Sequence, residues 1–157
     1  MPLAKRRTST SRKLKPLWRC PDCGNRFVTK NAWHSCGTNT LKTLFSRSEP
    51  EVLKLFRKFA KMVQACGPGK MLTQQTRVVF QVRVRFAACS PRKFHLDCAV
   101  ALPRRLENPR FWKIEKYTDH FISHHFRIDS EDQLNDEVQE WLRESYRVGA
   151  QEEFGDS

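Results

Sequence analysis

A stretch of alternating side chains constrains this chain more than any other feature. From Val78 to Phe86 every even position is apolar (Val78, Phe80, Val82, Val84, Phe86), while Arg77, Gln81, Arg83 and Arg85 stand at odd positions. Strand side chains point alternately to opposite faces, so one face is core and the other begins basic. The same period returns from Phe94 to Leu102, with Phe94, Leu96, Cys98, Val100 and Leu102 in step and Lys93, His95 and Asp97 out of step. Cys89-Ser90-Pro91-Arg92 lies between the two runs, where proline fixes φ and removes a ladder donor. The pattern predicts an antiparallel hairpin that pairs Phe86 with Phe94, Val84 with Leu96 and Arg83 with Asp97.

Helices flank this pair. Ser48-Glu49-Pro50-Glu51 reads as a capping box with Ser48 at the N-cap. Val52, Leu55, Phe56, Phe59, Met62 and Val63 then recur at helical spacing, until Gly67-Pro68-Gly69 ends the run. A short helical turn is expected before it, from Thr38 to Phe45. After the hairpin, Phe111 to Tyr117 and Ile122 to Ile128 read as third and fourth strands, the faces of the third being unassigned because Phe111 and Trp112 are both bulky. Ser130-Glu131-Asp132-Gln133 caps a last helix carrying Leu134, Val138, Trp141 and Leu142. The expected architecture is α+β: a four-stranded antiparallel sheet with an N-terminal and a C-terminal helix on its apolar face, preceded by a small zinc knuckle. The expected boundaries are a disordered basic arm over 1–16, the knuckle over 17–38, the α+β domain over 39–150 and an acidic tail over 151–157.

The blocks Thr76-Arg77-Val78-Val79-Phe80, Arg85-Phe86-Ala87, Ser90-Pro91-Arg92-Lys93 and Pro109-Arg110-Phe111, with the helix end at Leu142 to Gly149, resemble the bacterial family catalogued as domain of unknown function 5655. The resemblance covers roughly 45–150, implies a compact α+β fold and brings no reaction with it.

The knuckle rests on Cys20-Pro21-Asp22-Cys23-Gly24 and His34-Ser35-Cys36. Two residues between thiolates let both sulfurs face one ion, and on an extended segment His34 and Cys36 point the same way. Cys20, Cys23, His34 and Cys36 thus form a closed tetrahedral set, which holds one structural Zn2+. With Trp18, Phe27 and Trp33 as its only large apolar groups, the segment needs the ion to fold.

Charge points to a partner. Residues 1–47 carry 11 Lys/Arg against one acid, residues 48–128 carry 16 against 6, and residues 129–157 carry 2 against 10, for a net charge of +12. A basic body of this kind meets polyanions. Nucleic acid, DNA or RNA, is the expected partner. Phosphates are to be held by Arg77, Arg83, Arg85, Lys93, Arg104, Arg105, Arg110 and Arg127, with base identity left unread. No apolar run reaches membrane-spanning length and no signal peptide opens the chain, so a cytoplasmic protein without membrane contact is expected.

Catalytic chemistry has little to stand on. His120 and His124 on one strand would lie about 13 Å apart at ~3.3 Å per residue, too far to share an ion. His124 has the parity of Ile122 and Phe126 and is expected in the core. No Glu-x-Lys triplet, P-loop, GxGxxG or GxSxG occurs. His95, Asp97 and His125 are the candidates for an enzyme. The pattern favours a non-enzymatic nucleic-acid-binding protein; the alternatives are a zinc-containing protein-interaction adaptor and an uncharacterised enzyme.

Overall fold

A computed structural model describes residues 14–21, 26–31 and 39–152. The chain divides into two compact units, 1–33 and 34–157. In the first, β1 (Trp18–Arg19) pairs antiparallel with β2 (Arg26–Phe27), and the Trp18 and Phe27 rings meet with centroids 6.2 Å apart. The expected basic arm and acidic tail fall largely on residues outside those described.

The second unit begins with a short helix, α1 (Leu41–Leu44), followed by α2 (Pro50–Gln64). Val52, Leu55, Phe56, Phe59, Ala60 and Val63 bury one side of α2, as its period requires. The cap is not the one expected. Glu49 occupies the N-cap without a side-chain bond, Pro50 opens the first turn, and the Glu49 N–H donates to the Lys93 carbonyl at 2.8 Å, so a tertiary backbone bond takes the place of the Ser48 box. After the helix, Gly67 takes a φ of +148°, and an added Cβ there would meet the Tyr146 hydroxyl at 2.6 Å.

The sheet has six antiparallel strands in the order β3-β4-β5-β6-β8-β7, not four. These are β3 (Lys70–Thr73), β4 (Val78–Gln81), β5 (Arg85–Pro91), β6 (Leu96–Leu102), β7 (Lys113–Thr118) and β8 (Phe121–Ile128). The run from Val78 to Phe86, expected as one strand, breaks at Val82–Val84, where the Arg83 and Val84 N–H groups both donate to the Gly149 carbonyl. Beyond the break the chain folds back, and Gln81 pairs with Arg85 while Phe80 pairs with Ala87. Phe86 is therefore an extra residue, a bulge that reverses the parity of the rest of β5. Core positions are even in β4 (Val78, Phe80) and odd in β5 (Ala87, Cys89).

The expected register is corrected accordingly. Ser90, not Arg83, faces Asp97, and Cys89 faces Cys98. Phe94 lies in the β5–β6 turn, closed by the Arg92 N–H on the His95 carbonyl, and is 67% exposed. β6 and β8 keep their expected faces, with Leu96, Cys98, Val100 and Leu102 opposite Ile128, Phe126, His124 and Ile122. The Ser130–Gln133 capping box is present, but it closes a 3-10 turn (Glu131–Gln133); α3 (Asp136–Gly149) starts later, with Asn135 Oδ1 accepting the Val138 N–H. Both long helices pack against one side of the sheet, where Phe59 meets Phe80 at 5.8 Å and Phe126 meets Trp141 at 5.2 Å. The opposite face carries no helix among the described residues.

Candidate nucleic-acid interface

Alternation decides which side chains reach that open face. In the middle strands they are small: Ala88 and Ser90 on β5, Ala99 and Ala101 on β6, Ser123 on β8. Around this floor stand Lys70, Arg77, Arg85, Arg92, Lys113 and Arg127, against two carboxylates, Asp97 and Glu115.

Each carboxylate gathers cations. Asp97 sits opposite Arg127; its Oδ2 accepts from Arg92 Nε at 2.8 Å, while Oδ1 lies 3.3 Å from His95 Nε2 and 3.7 Å from Arg127 Nε. Those Oδ1 contacts are ionic in range but lack hydrogen-bond geometry, so this buried oxygen keeps unused acceptor capacity. Glu115 accepts from the Tyr117 hydroxyl at 3.1 Å and lies 3.2 Å from Lys113 Nζ and 3.3 Å from His125 Nε2. The Lys113 and Tyr117 bonds hold its carboxyl below the usual range, and the same bond raises the Tyr117 phenol. His125 is pushed down by burial, against the pull of Glu115.

Arg85 differs from its neighbours. It is half-buried, burial and then the like charge of Arg77 lower its pKa, and among the described residues no carboxylate lies within ion-pair range of it. Arg77 Nε donates only to a neutral partner, Gln74 Oε1, at 3.0 Å.

The other cations expected at the interface are elsewhere. Arg104 forms a two-pronged pair with Glu144 of α3, both bonds 3.0 Å long, and Arg105 pairs with Glu107. Arg110 stacks on Trp141 and Phe126 at 5.3 and 5.7 Å and donates to the Gln133 carbonyl at 2.9 Å. These three belong to the helix side. Arg83 donates to Gln151 Oε1 in the loop that clasps the end of α3, and Lys93 lies over the Phe94 ring at the β5–β6 tip. Of the eight, only Arg77, Arg85 and Arg127 share the open face.

Ring contacts assign β7's entry. Phe111 turns inward to His124 (4.9 Å) and Trp141 (4.6 Å), whereas Trp112 turns to His125 on the open side at 5.5 Å. Trp112 and Tyr117 are the aromatic pair that the alternation rule missed, because Trp112 precedes the regular part of the strand.

The three enzyme candidates do lie on this face, but not as a relay. Ser123 Oγ and Glu115 both approach His125 through Nε2, at 3.3 Å each, whereas a nucleophile, base and orienting acid use both ring nitrogens. His124 is fully buried, as expected. Its Nε2 accepts the Leu106 N–H at 2.9 Å, so Nδ1 carries the proton donated to the Ile122 carbonyl, also at 2.9 Å. Among the described residues no three His, Cys, Asp or Glu side chains converge on a metal position. Cys20 is buried beside the β1 strand end. Cys23, His34 and Cys36 lie outside the described residues.

The family described as Domain of unknown function (DUF5655) matches residues 41–149. The chain belongs to this family. The DUF5655 match opens at the first residue of α1 and closes at the last of α3, so the six-stranded sheet and its helices are the family domain and residues 1–40 precede it. No curated protein matches the chain, and no solved structure matches it. No helix among the described residues is long and apolar enough to cross a membrane.

Proposed function

We propose that this DUF5655 protein is a non-enzymatic nucleic-acid-binding protein that holds phosphates across the open face of its sheet, and that residues 17–38 carry one structural zinc ion. Arg85 is the observation that supports it most. A half-buried guanidinium with a second one nearby and no carboxylate among its described neighbours has forfeited hydration without gaining a counter-charge. A phosphate between Arg77 and Arg85 supplies that charge, and guanidinium is the planar donor best matched to it. The short side chains of the floor let a backbone approach, and the helix-side arginines are already engaged by glutamates.

The zinc proposal is carried by ligand spacing and supported by the β1–β2 pair, whose strands stand on either side of Cys20 and Cys23 in sequence. Zinc there would fold the segment and leave no open position for chemistry.

Fluorescence anisotropy with a labelled oligonucleotide tests the phosphate proposal. R77Q with R85Q is expected to weaken binding several-fold or more, whereas R104Q with R105Q, on the helix side, leaves it nearly unchanged. Equal losses in the two pairs, or none in either, would contradict this assignment of the interface.

A further inference from the structure

Charge alone leaves two side chains on the same face unexplained. Trp112 is 56% exposed and Tyr117 63% exposed, although both belong to residue types that cores normally take up. Neither ring hangs loose. The Trp112 ring lies 5.5 Å from that of His125, and the Tyr117 ring meets Phe121 edge-on at 6.1 Å while its hydroxyl donates to Glu115. Each ring is thus braced by the protein and still open to solvent, the arrangement of a stacking platform.

Their exposure chooses between kinds of nucleic acid. The two rings are separate platforms at the two ends of a line of contacts that runs from Trp112 through His125 and Glu115 to Tyr117. Bases in a duplex are stacked on one another inside the helix, ~3.4 Å apart along each strand, with both faces covered. Each ring can therefore receive a base only from a strand whose own stack has opened. The guanidiniums of Arg127, Arg85 and Arg77 lie inward of this aromatic edge, toward β4, where the backbone of such a strand would cross the floor.

We propose that the open face of the sheet takes single-stranded nucleic acid, with Trp112 and Tyr117 each stacking one base while Arg77, Arg85 and Arg127 neutralise the intervening phosphates. This rests on the phosphate-binding proposal above and adds the class of ligand. It predicts tolerance of base identity, since every base offers a π-face.

The test uses the full chain and three probes of about twelve nucleotides, within the span such platforms cover: oligothymidine, an abasic oligomer of equal length and a duplex. Oligothymidine is expected to bind most tightly. W112A and Y117A should each weaken it by about ten-fold and leave the abasic oligomer unaffected, while W112F recovers most of the loss. Thermal melts check that the variants fold, which their exposure favours. If oligothymidine and the abasic oligomer bind alike, if the duplex binds as tightly as the single strand, or if neither alanine variant matters, stacking is overturned. In those cases salt-dependent binding of all three probes would leave the phosphate proposal standing. If no probe binds in a salt-dependent way, both proposals fall.

Discussion

His124 shows what one buried position fixes. A ring that accepts the Leu106 N–H through Nε2 and donates to Ile122 through Nδ1 has no room for a second proton without losing a bond. Burial lowers its pKa, with the Ile122 carbonyl opposing. Because the folded value lies below the ordinary ~6.5, the unfolded chain takes up a proton that the folded chain refuses, so this contribution to stability is complete above ~6.5 and lost as pH falls below it. NMR titration is expected to place the His124 ring midpoint under ~6.5, with a melting temperature lower at pH 5 than at pH 7.5. A midpoint at or above the ordinary value would contradict the tautomer assigned here. The parity of Ile122 and Phe126 foretold its burial; its partner, the Leu106 amide from a loop 18 residues away, has no local signature.

At the scale of elements, legibility followed the regularity of the chain. α2, β6, β8 and α3 carry clean periods and stand close to where their side chains place them. The Val78–Phe86 run misleads because its alternation continues unbroken through Val82–Val84, where two N–H groups leave the ladder for the Gly149 carbonyl. Periodicity reports which faces are apolar and not where a distant carbonyl intercepts the backbone. β3 went unread because Lys70-Met71-Leu72-Thr73 is too short to alternate visibly and follows directly on a helix stop. The β1–β2 unit belongs to the same scale. Few apolar side chains lie near it, and the zinc proposed for residues 17–38 would supply their stability, so C23S should reduce bound zinc from one per chain to near none, and chelation should unfold this segment while the sheet domain, with its own core, persists. Atomic emission with circular dichroism checks both; metal content unchanged by C23S would rule out the ligand set.

For the whole molecule, sequence separated a basic body from an acidic C-terminal helix but not how the fold spends those charges. Arg104 lies 40 residues from Glu144 in sequence, yet the fold brings the two together. Arg77 at the entry to β4, Arg85 on β5 and Arg127 on β8 share one open surface. The candidate face was therefore legible as a basic strand parity near Arg77 and Arg85, and its aromatic edge was not. This face is proposed to neutralise phosphates, and counterion release measures that directly. For a single strand, log affinity falls with log salt at about −0.7 per phosphate neutralised, so three phosphates, one for each arginine of the face, give a slope of about −2. The R77Q, R85Q double variant should flatten that slope by about 1.4. A slope near zero, or one that the double variant leaves unchanged, would contradict phosphate binding on this face.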